Sequence, residues 1–334
     1  MNVNGVGDLA TSLLARRNNA DLKHEFVRLT QELATGRKSD ISNSTGGNTS
    51  SLASLEHSLT LIDAFTKSES VLSQKLAHAE IALSAIGDDI AGIGQSILAN
   101  ADSGGIANNA LLVDASSSFQ TALSALSVRI GGAYVFSGVA LETPPLADEA
   151  SLLSSLQTAT SGALTAADFY QRVDDWFSQS GGFDVAGYTG GDQPTRGVRV
   201  SATDEARFKF TAESPEIRAV LRDLSVFALV EQGDFLGSQE ELTELTKIAA
   251  SGLIAGETEL IGVRSDMGKQ QERVTAANAQ NSFQMNSLTE MRNEVVGVDL
   301  YETAARFEEI QLQLESLYLV TAKTARLSLT EYLR

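Results

Sequence analysis

A run of apolar residues between positions 65 and 97 constrains the fold of this chain more than any other feature. From Leu72 onward the apolar positions alternate between steps of four and steps of three residues. The run consists of Phe65, Leu72, Leu76, Ala79, Leu83, Ile86, Ile90, Ile93 and Ile97. Such spacing places a heptad seam on one face of an α-helix. We therefore predict a continuous helix over residues 51–100, about 75 Å long, which is too long for a compact globule.

A second helix is predicted to fold back on the first. The turn-rich segment Asn100–Gly105 interrupts the pattern, and the spacing of three and four resumes between Leu112 and Leu126. Paired glycines are poor helix formers and good C-terminal stops, so we expect this helix to end at Gly131–Gly132. The result would be an antiparallel helical hairpin.

The middle of the chain has a different character. All four prolines lie between residues 144 and 215, together with two pairs of glycines. Residues 151–178 have a helical pattern, whereas residues 196–200 and 206–211 alternate and indicate a β-hairpin. These features predict a small mixed insert, after which the helical pattern returns.

Both ends of the chain carry amphipathic helical stripes, and the last helix has a wider apolar surface than one partner helix would cover. We predict a mainly α fold, with a long antiparallel helical rod or coiled-coil bundle formed by the N- and C-terminal segments and a small mixed α/β middle domain. The expected divisions are an N-terminal assembly helix (1–42), the first half of the rod (43–143), the insert (144–215), the second half of the rod (216–297) and a C-terminal assembly helix (298–334).

Composition excludes several classes of function. The net charge of -18 disfavours binding to nucleic acid and to anionic membranes. The sequence contains no continuous run of 18 or more apolar residues and no pattern of a cleaved signal peptide, so we expect no membrane insertion. The absence of cysteine removes disulfides, thiolate metal sites and cysteine nucleophiles.

No pattern in the sequence supports catalysis, and we predict no catalytic, cofactor-binding or metal site. His24, His57 and His78 lack the partner four residues on that a zinc-binding helix supplies, so solvated helix surface is the favoured interpretation. The glycines of Gly92-Ile93-Gly94 fall in the heptad seam, which favours close helix packing over a phosphate loop. The alternative of an enzyme is confined to a cluster in the insert that contains Tyr170, Asp174, Asp175 and Trp176.

Three stretches of the sequence resemble the flagellin superfamily. Residues 29–38, LTQELATGRK, are similar to the segment that closes the family's first helix. Residues 132–138, GAYVFSG, followed by ETPP, resemble a motif of the hook-associated branch. Residues 299–333, which end in LSLTEYL, are more similar to hook-filament junction proteins than to filament flagellins. The sequence departs from the family where it opens with MNVNG and where Asp40-Ile41-Ser42 follows the first helix.

The resemblance implies a structural protein of the bacterial flagellum that polymerises through its terminal helices and joins hook to filament. The implied partners are other copies of the chain, a second hook-associated protein, flagellin, and an export chaperone for the C-terminal helices. It also implies an extracellular location, reached through the flagellar secretion apparatus without a cleaved signal peptide. A filament flagellin is the alternative within the family, and a helical sensor fragment is the alternative outside it.

The apolar stripes of the terminal helices are the candidate contact surface for assembly. Their residues are Leu22, Phe26, Leu29, Leu33, Leu300, Phe307, Ile310, Leu314, Leu317, Leu319, Val320 and Leu327.

Overall fold

The structure, a computed structural model, describes residues 4–41, 49–101 and 109–332, with side chains described over 13–41, 49–100 and 110–323. The described residues are mainly helical, which confirms the predicted fold class of a helical bundle with a small mixed insert. The helices are α1 (Asn4–Thr35), α2 (Ser50–Ile90), α3 (Ile93–Ala101), α4 (Asn109–Leu126), α5 (Glu149–Thr160), α6 (Ala166–Phe177), a π-helical turn (Phe183–Gly187), α7 (Pro215–Glu231), α8 (Gln239–Val296) and α9 (Leu300–Tyr332). The strands are β1 (Arg129–Ile130), β2 (Ala133–Tyr134), β3 (Val198–Arg199) and β4 (Glu205–Ala206).

The chain divides into two compact units. Unit 1 comprises Met1–Ile62 and Phe283–Arg334, and unit 2 comprises Asp63–Ser282. Helices α2 and α8 contribute residues to both units. Helices α1 and α9 belong to unit 1.

The core of unit 2 contains the predicted heptad seam. From Leu72 to Ile97 the seam residues are buried, except Ile93, which is half-buried against the same core. The predicted face of α4 is also buried, at Leu112, Ala115, Phe119, Ala122 and Leu126. Periodicity therefore identified the residues that fill this core.

The predicted continuous helix over 51–100 is wrong at one point. Helix α2 ends at Ile90, and α3 begins at Ile93 after a short turn. Gly92 has a φ of +80°, in the left-handed region that ends helices and that glycine adopts without steric cost. Close packing does explain Gly94, where a Cβ would lie 2.7 Å from the carbonyl oxygen of Ala250.

The prediction that α4 ends at Gly131–Gly132 is also wrong. The helix ends at Leu126, and the two glycines form the turn of a hairpin in which β1 and β2 are antiparallel. Their φ angles are +57° and +89°, and a two-residue hairpin turn of this type needs positive φ at both central residues. The same glycine pair thus makes a tight reversal instead of a helix stop.

The insert contains two helices where the sequence indicated one helical stretch over 151–178. Helix α5 is capped by Asp148, which accepts a hydrogen bond from the backbone N–H of Ser151 at 3.0 Å. Helix α6 is capped by Thr165, which accepts one from the N–H of Asp168 at 3.3 Å. A side-chain cap satisfies a backbone donor that a helix leaves open, so each cap starts a new helix. The predicted hairpin is confirmed, with β3 and β4 antiparallel.

Helix α7 packs against α4, α5 and α6, and most of its residues are buried. Two glycines of α8, four residues apart, lie against it. A Cβ on Gly252 would lie 2.2 Å from Oδ2 of Asp223, and a Cβ on Gly256 would lie 2.7 Å from Cγ2 of Val220. The missing side chains let the two helices approach closely.

One stretch of the described residues, Ser50–Asn100, is long and apolar enough by length and composition to cross a membrane. Its window has a mean hydropathy of 1.2 and is 33% buried. Core helices of soluble proteins pass the same test, so this single stretch is weak evidence for a membrane span.

Candidate assembly surface

The first and last helices of the chain pair with each other in unit 1. The rings of Phe26 and Phe307 stack with their centroids 4.9 Å apart. Nearer the start of α1, the ammonium of Lys23 lies 5.8 Å from the ring centroid of Tyr318, nearer the end of α9. The two helices are therefore antiparallel.

Backbone hydrogen bonds fix the register of this pair at the turns beside it. The N–H of Lys38 donates to the carbonyl of Val296 at 2.8 Å, and the N–H of Val298 donates to the carbonyl of Gly36 at 3.2 Å. Asp299 then caps α9 by accepting a hydrogen bond from the N–H of Tyr301 at 2.9 Å. The end of α1 and the start of α9 are thus joined by hydrogen bonds of the backbone itself.

A buried carboxylate, Glu32, strengthens the same junction. It accepts hydrogen bonds from Arg28 at 3.0 Å and from both the N–H and the hydroxyl of Ser39, at 3.0 and 3.1 Å. Arg28 also binds Glu25, and that hydrogen bond holds the pKa of Glu25 below its ordinary value despite partial burial. Sequence analysis did not single out Glu32, although the Arg28–Glu32 spacing of four residues is the usual spacing of a helical ion pair.

The structure brings most of the candidate contact residues into one intrachain interface. Leu29 and Leu314 are buried, and the others on these two facing surfaces are half-buried. This inner face consists of Leu22, Phe26, Leu29 and Leu33 on α1 and Phe307, Ile310, Leu314 and Leu317 on α9. Contact between these residues and other subunits stays a prediction.

The other candidates do not join that interface. Leu300, Leu319 and Val320 are exposed on α9. The side chain of Leu327 lies outside the described residues.

A further apolar stripe on each terminal helix lies opposite the inner face, and the candidate set largely missed it. On α9 this outer stripe is formed by Tyr301, Leu312 and Leu319, which are 88%, 64% and 67% exposed. Steps of eleven and seven residues bring these three positions within about 20° of each other around a helix.

The outer stripe of α1 consists of Leu13, Ala20, Val27 and Ala34, which are all exposed and follow one another at steps of seven residues. That heptad spacing was the sequence signal that could have revealed it. Each terminal helix is therefore apolar on two opposite faces, and among the residues that the structure describes only the inner face is covered.

The cluster in the insert that left room for an enzyme forms a structural network. The hydroxyl of Tyr170 donates to the fully buried Asp223 at 2.7 Å, and Arg222 bridges Asp223 at 3.1 Å and Asp174 at 2.7 Å. Burial raises the pKa of Asp223, and burial together with this carboxylate raises the pKa of Tyr170 above its ordinary value. Trp176 is buried in the core. The groups satisfy one another and hold α6 against α7.

The histidines lie where the sequence placed them. His24, His57 and His78 are exposed on helices. Within the described ranges, no group of three or more histidine, aspartate or glutamate side chains is arranged to hold a metal ion.

Comparison with known proteins finds a family that the C-terminal part of the chain resembles. Residues 256–333 match the sequence model of the bacterial flagellin C-terminal helical region. This part of the chain is therefore similar to the C-terminal helical region of bacterial flagellins. This confirms the resemblance to the flagellin superfamily and, with it, the predicted structural role in the bacterial flagellum. Flagellins are structural proteins and not enzymes. No curated protein matches the sequence.

Two solved structures are similar in fold to this flagellin-like chain. The structure of FlgL from Bacillus cereus has a TM-score of 0.50 and 13% identity, over 72% of this chain and 98% of that one. A putative flagellar hook-associated protein from Vibrio parahaemolyticus has a TM-score of 0.49 and 15% identity, over 73% of this chain and 95% of that one.

Proposed function

We propose that this protein is a subunit of the hook-filament junction, which polymerises through its terminal helices and joins hook to filament. One observation carries the proposal: the terminal helix pair, which includes the C-terminal part of the flagellin-like region, exposes an apolar stripe on each helix. The fold likeness to Bacillus cereus FlgL and the LSLTEYL ending support a junction protein over a filament flagellin.

The physical basis of assembly lies in the outer stripes. An isolated helix gains little stability from propensity in water, and most of its stability comes from a packed face. Within the described part of one subunit, each terminal helix is covered on its inner face only. A neighbouring subunit that covers the outer stripe removes further apolar surface from water, at about 25 cal/mol per Å². Assembly is therefore favoured where a neighbour already presents an ordered surface.

The partners and route belong to the same proposal. The subunit binds other copies of itself, a second hook-associated protein and flagellin. A dedicated chaperone covers the C-terminal helix before export, since an exposed apolar stripe promotes aggregation. Export proceeds through the flagellar secretion apparatus to the cell exterior, without a cleaved signal peptide and without membrane insertion. A chain without cysteine needs no oxidative folding step after such transport.

The test uses hook fragments isolated from a strain of the source organism that lacks this protein. Purified protein is sized by analytical ultracentrifugation, mixed with the fragments and examined by electron microscopy. We expect it to stay soluble alone and to cap the fragment ends without extending them. A variant that lacks residues 300–334 is the matched control and should not bind. Growth of long filaments would identify a flagellin, and failure of the intact protein to bind would refute the proposal.

A further inference from the structure

The outer stripe of α1 runs along a basic surface. Arg16 and Arg17 are exposed, and both positions lie within about 60° of the stripe around the helix. The exposed His24 lies equally near the stripe. Asp21 is the acidic residue nearest to this face, and it lies at its margin. The stripe itself contains small side chains, because two of its four members are alanines.

The outer stripe of α9 runs along an acidic surface. Glu308 and Glu315 are exposed within about 40° of the stripe, and Glu309 is exposed at its margin. Lys323 is the basic residue on the same side, near the end of the described side chains. The stripe itself is built from the large side chains Tyr301, Leu312 and Leu319. The two outer faces therefore differ in both side-chain size and charge.

From these two faces we propose that the outer face of α1 in one copy of this chain packs on the outer face of α9 in a second copy. The proposal rests on the proposed function and names the contact through which copies meet. Large apolar side chains of α9 fill the spaces above Ala20 and Ala34, while Arg16 and Arg17 face Glu308 and Glu315. Complementary charges of this kind fix which surfaces meet and speed their encounter.

The same charges disfavour a contact between two identical faces. Contact between two α1 outer faces would bring arginines together, and contact between two α9 outer faces would bring glutamates together, which costs free energy.

The two faces cannot meet within one chain. The inner faces of α1 and α9 already pack on each other, through Phe26 and Phe307 among others, so the outer faces point in opposite directions. The contact therefore joins different copies head to tail. A head-to-tail contact uses two different patches, and the rotation between neighbouring copies decides whether it closes into a ring or continues as an open helix. A closed ring at the fragment end fits capping without extension.

The first test exploits the absence of cysteine in the chain. Val27→Cys protein is mixed with Tyr301→Cys, Leu312→Cys or Leu319→Cys protein and treated with a short bismaleimide, at high concentration in solution and on hook fragments. We expect dimers in the mixture with at least one of the three. Three controls should give at least about tenfold less dimer. They are Val27→Cys alone, each α9 variant alone, and Val27→Cys mixed with Lys269→Cys, whose cysteine lies in unit 2. Equal yields from like variants, or no dimer under either condition, would overturn the proposal.

The second test exchanges the charges. Either Arg16→Glu/Arg17→Glu or Glu308→Lys/Glu315→Lys is introduced into both the Val27→Cys protein and the α9 cysteine protein. Each such pair should lose crosslinking about tenfold, because attraction becomes repulsion at several exposed pairs. A mixture of the two charge variants should recover it, since each variant then meets its complement. The controls make the same changes of charge in unit 2, as Lys67→Glu/Lys269→Glu and Glu259→Lys/Glu272→Lys. Circular dichroism checks that every variant keeps its helices, and loss without recovery in the mixture would refute the pairing.

The two proposals fail separately. If the protein caps hook fragments but the α1 and α9 cysteines do not crosslink there or in solution, the junction role stands and this contact is wrong. If the cysteines crosslink as expected in solution but the protein ignores hook fragments, the contact stands and the junction role is wrong.

Discussion

Phe26 and Phe307 lie 281 positions apart in the sequence, yet their rings stack with centroids 4.9 Å apart and an interplanar angle of 29°. This contact joins the first helix to the last and leaves the opposite face of each helix exposed. The intrachain pair and the surface available to other copies are thus two consequences of one arrangement.

Replacement of Phe307 by alanine should loosen the terminal pair. Phe307 is half-buried, so we expect a loss of about 1–3 kcal/mol, below the range for a fully buried phenylalanine. Hydrogen exchange of the amides in α1 and α9 measures the loss as faster exchange. Tyr301→Ala, on the exposed face of the same helix, is the control and should leave exchange unchanged. Equal effects of the two variants would show that the ring stack does not hold the pair.

Replacement of Gly252 by alanine should destabilise unit 2, because the added Cβ would lie 2.2 Å from Oδ2 of the buried Asp223. Overpacking of this kind costs about 1–3 kcal/mol. Gly262→Ala is a matched control on the same helix, where a Cβ meets nothing within 4 Å, and it should stabilise the helix by about 0.5–1 kcal/mol. Urea unfolding measures both. Similar free energies for the two variants would contradict the close contact of α7 and α8.

Replacement of Tyr170 by phenylalanine removes the hydroxyl that donates to Asp223 at 2.7 Å. Hydrogen bonds to charged groups contribute about 1.5–3 kcal/mol, so we expect a loss in that range by urea unfolding. The control is Tyr301→Phe, whose hydroxyl is on an exposed side chain and whose loss should be neutral. A neutral Tyr170→Phe would mean that the buried carboxylate is satisfied without this donor.

Lys75 should make stability depend on pH. Burial lowers the pKa of its ammonium to about 8, while its hydroxyl partner Thr195 lies 3.2 Å away. Because the unfolded chain keeps the ordinary lysine pKa of about 10.4, it binds more protons than the folded chain between these values, and stability rises with pH across that window. We expect a contribution on the order of 1–3 kcal/mol.

The measurement compares unfolding free energies of wild type and Lys75→Met at pH 7.5 and pH 10. The variant lacks the titrating group, so its stability relative to wild type should fall as pH rises. Lys67→Met, at an exposed lysine of the same helix, should show no such change. A parallel response of both variants would indicate that Lys75 titrates as an exposed lysine.

Local periodicity was enough to identify the helical stretches and their principal apolar faces, although not every helix end. The seam from Leu72 to Ile97 and the inner stripes around Leu29 and Leu314 are buried because side chains three and four residues apart share a helix face in any context. The motifs at the two ends also indicated the superfamily, since they are short and local.

The glycine-rich turns were predicted less well. A glycine permits several backbone conformations, and the neighbouring residues in the sequence do not select among them. Gly131–Gly132 form a hairpin turn only because strands β1 and β2 pair across them. Gly92 ends α2 inside a seam whose apolar spacing continues without a gap.

The sequence by itself determined that both chain ends are helical, amphipathic and flagellin-like. Only the tertiary structure decided that the inner faces of α1 and α9 cover each other, that Glu32 is buried with Ser39, and that Asp223 lies against Gly252. The physical reason is that periodicity records which face of a helix is apolar, but it does not record which group covers that face. The covering group lies only seven positions away for Glu32 and Ser39 but 281 positions away for Phe26 and Phe307.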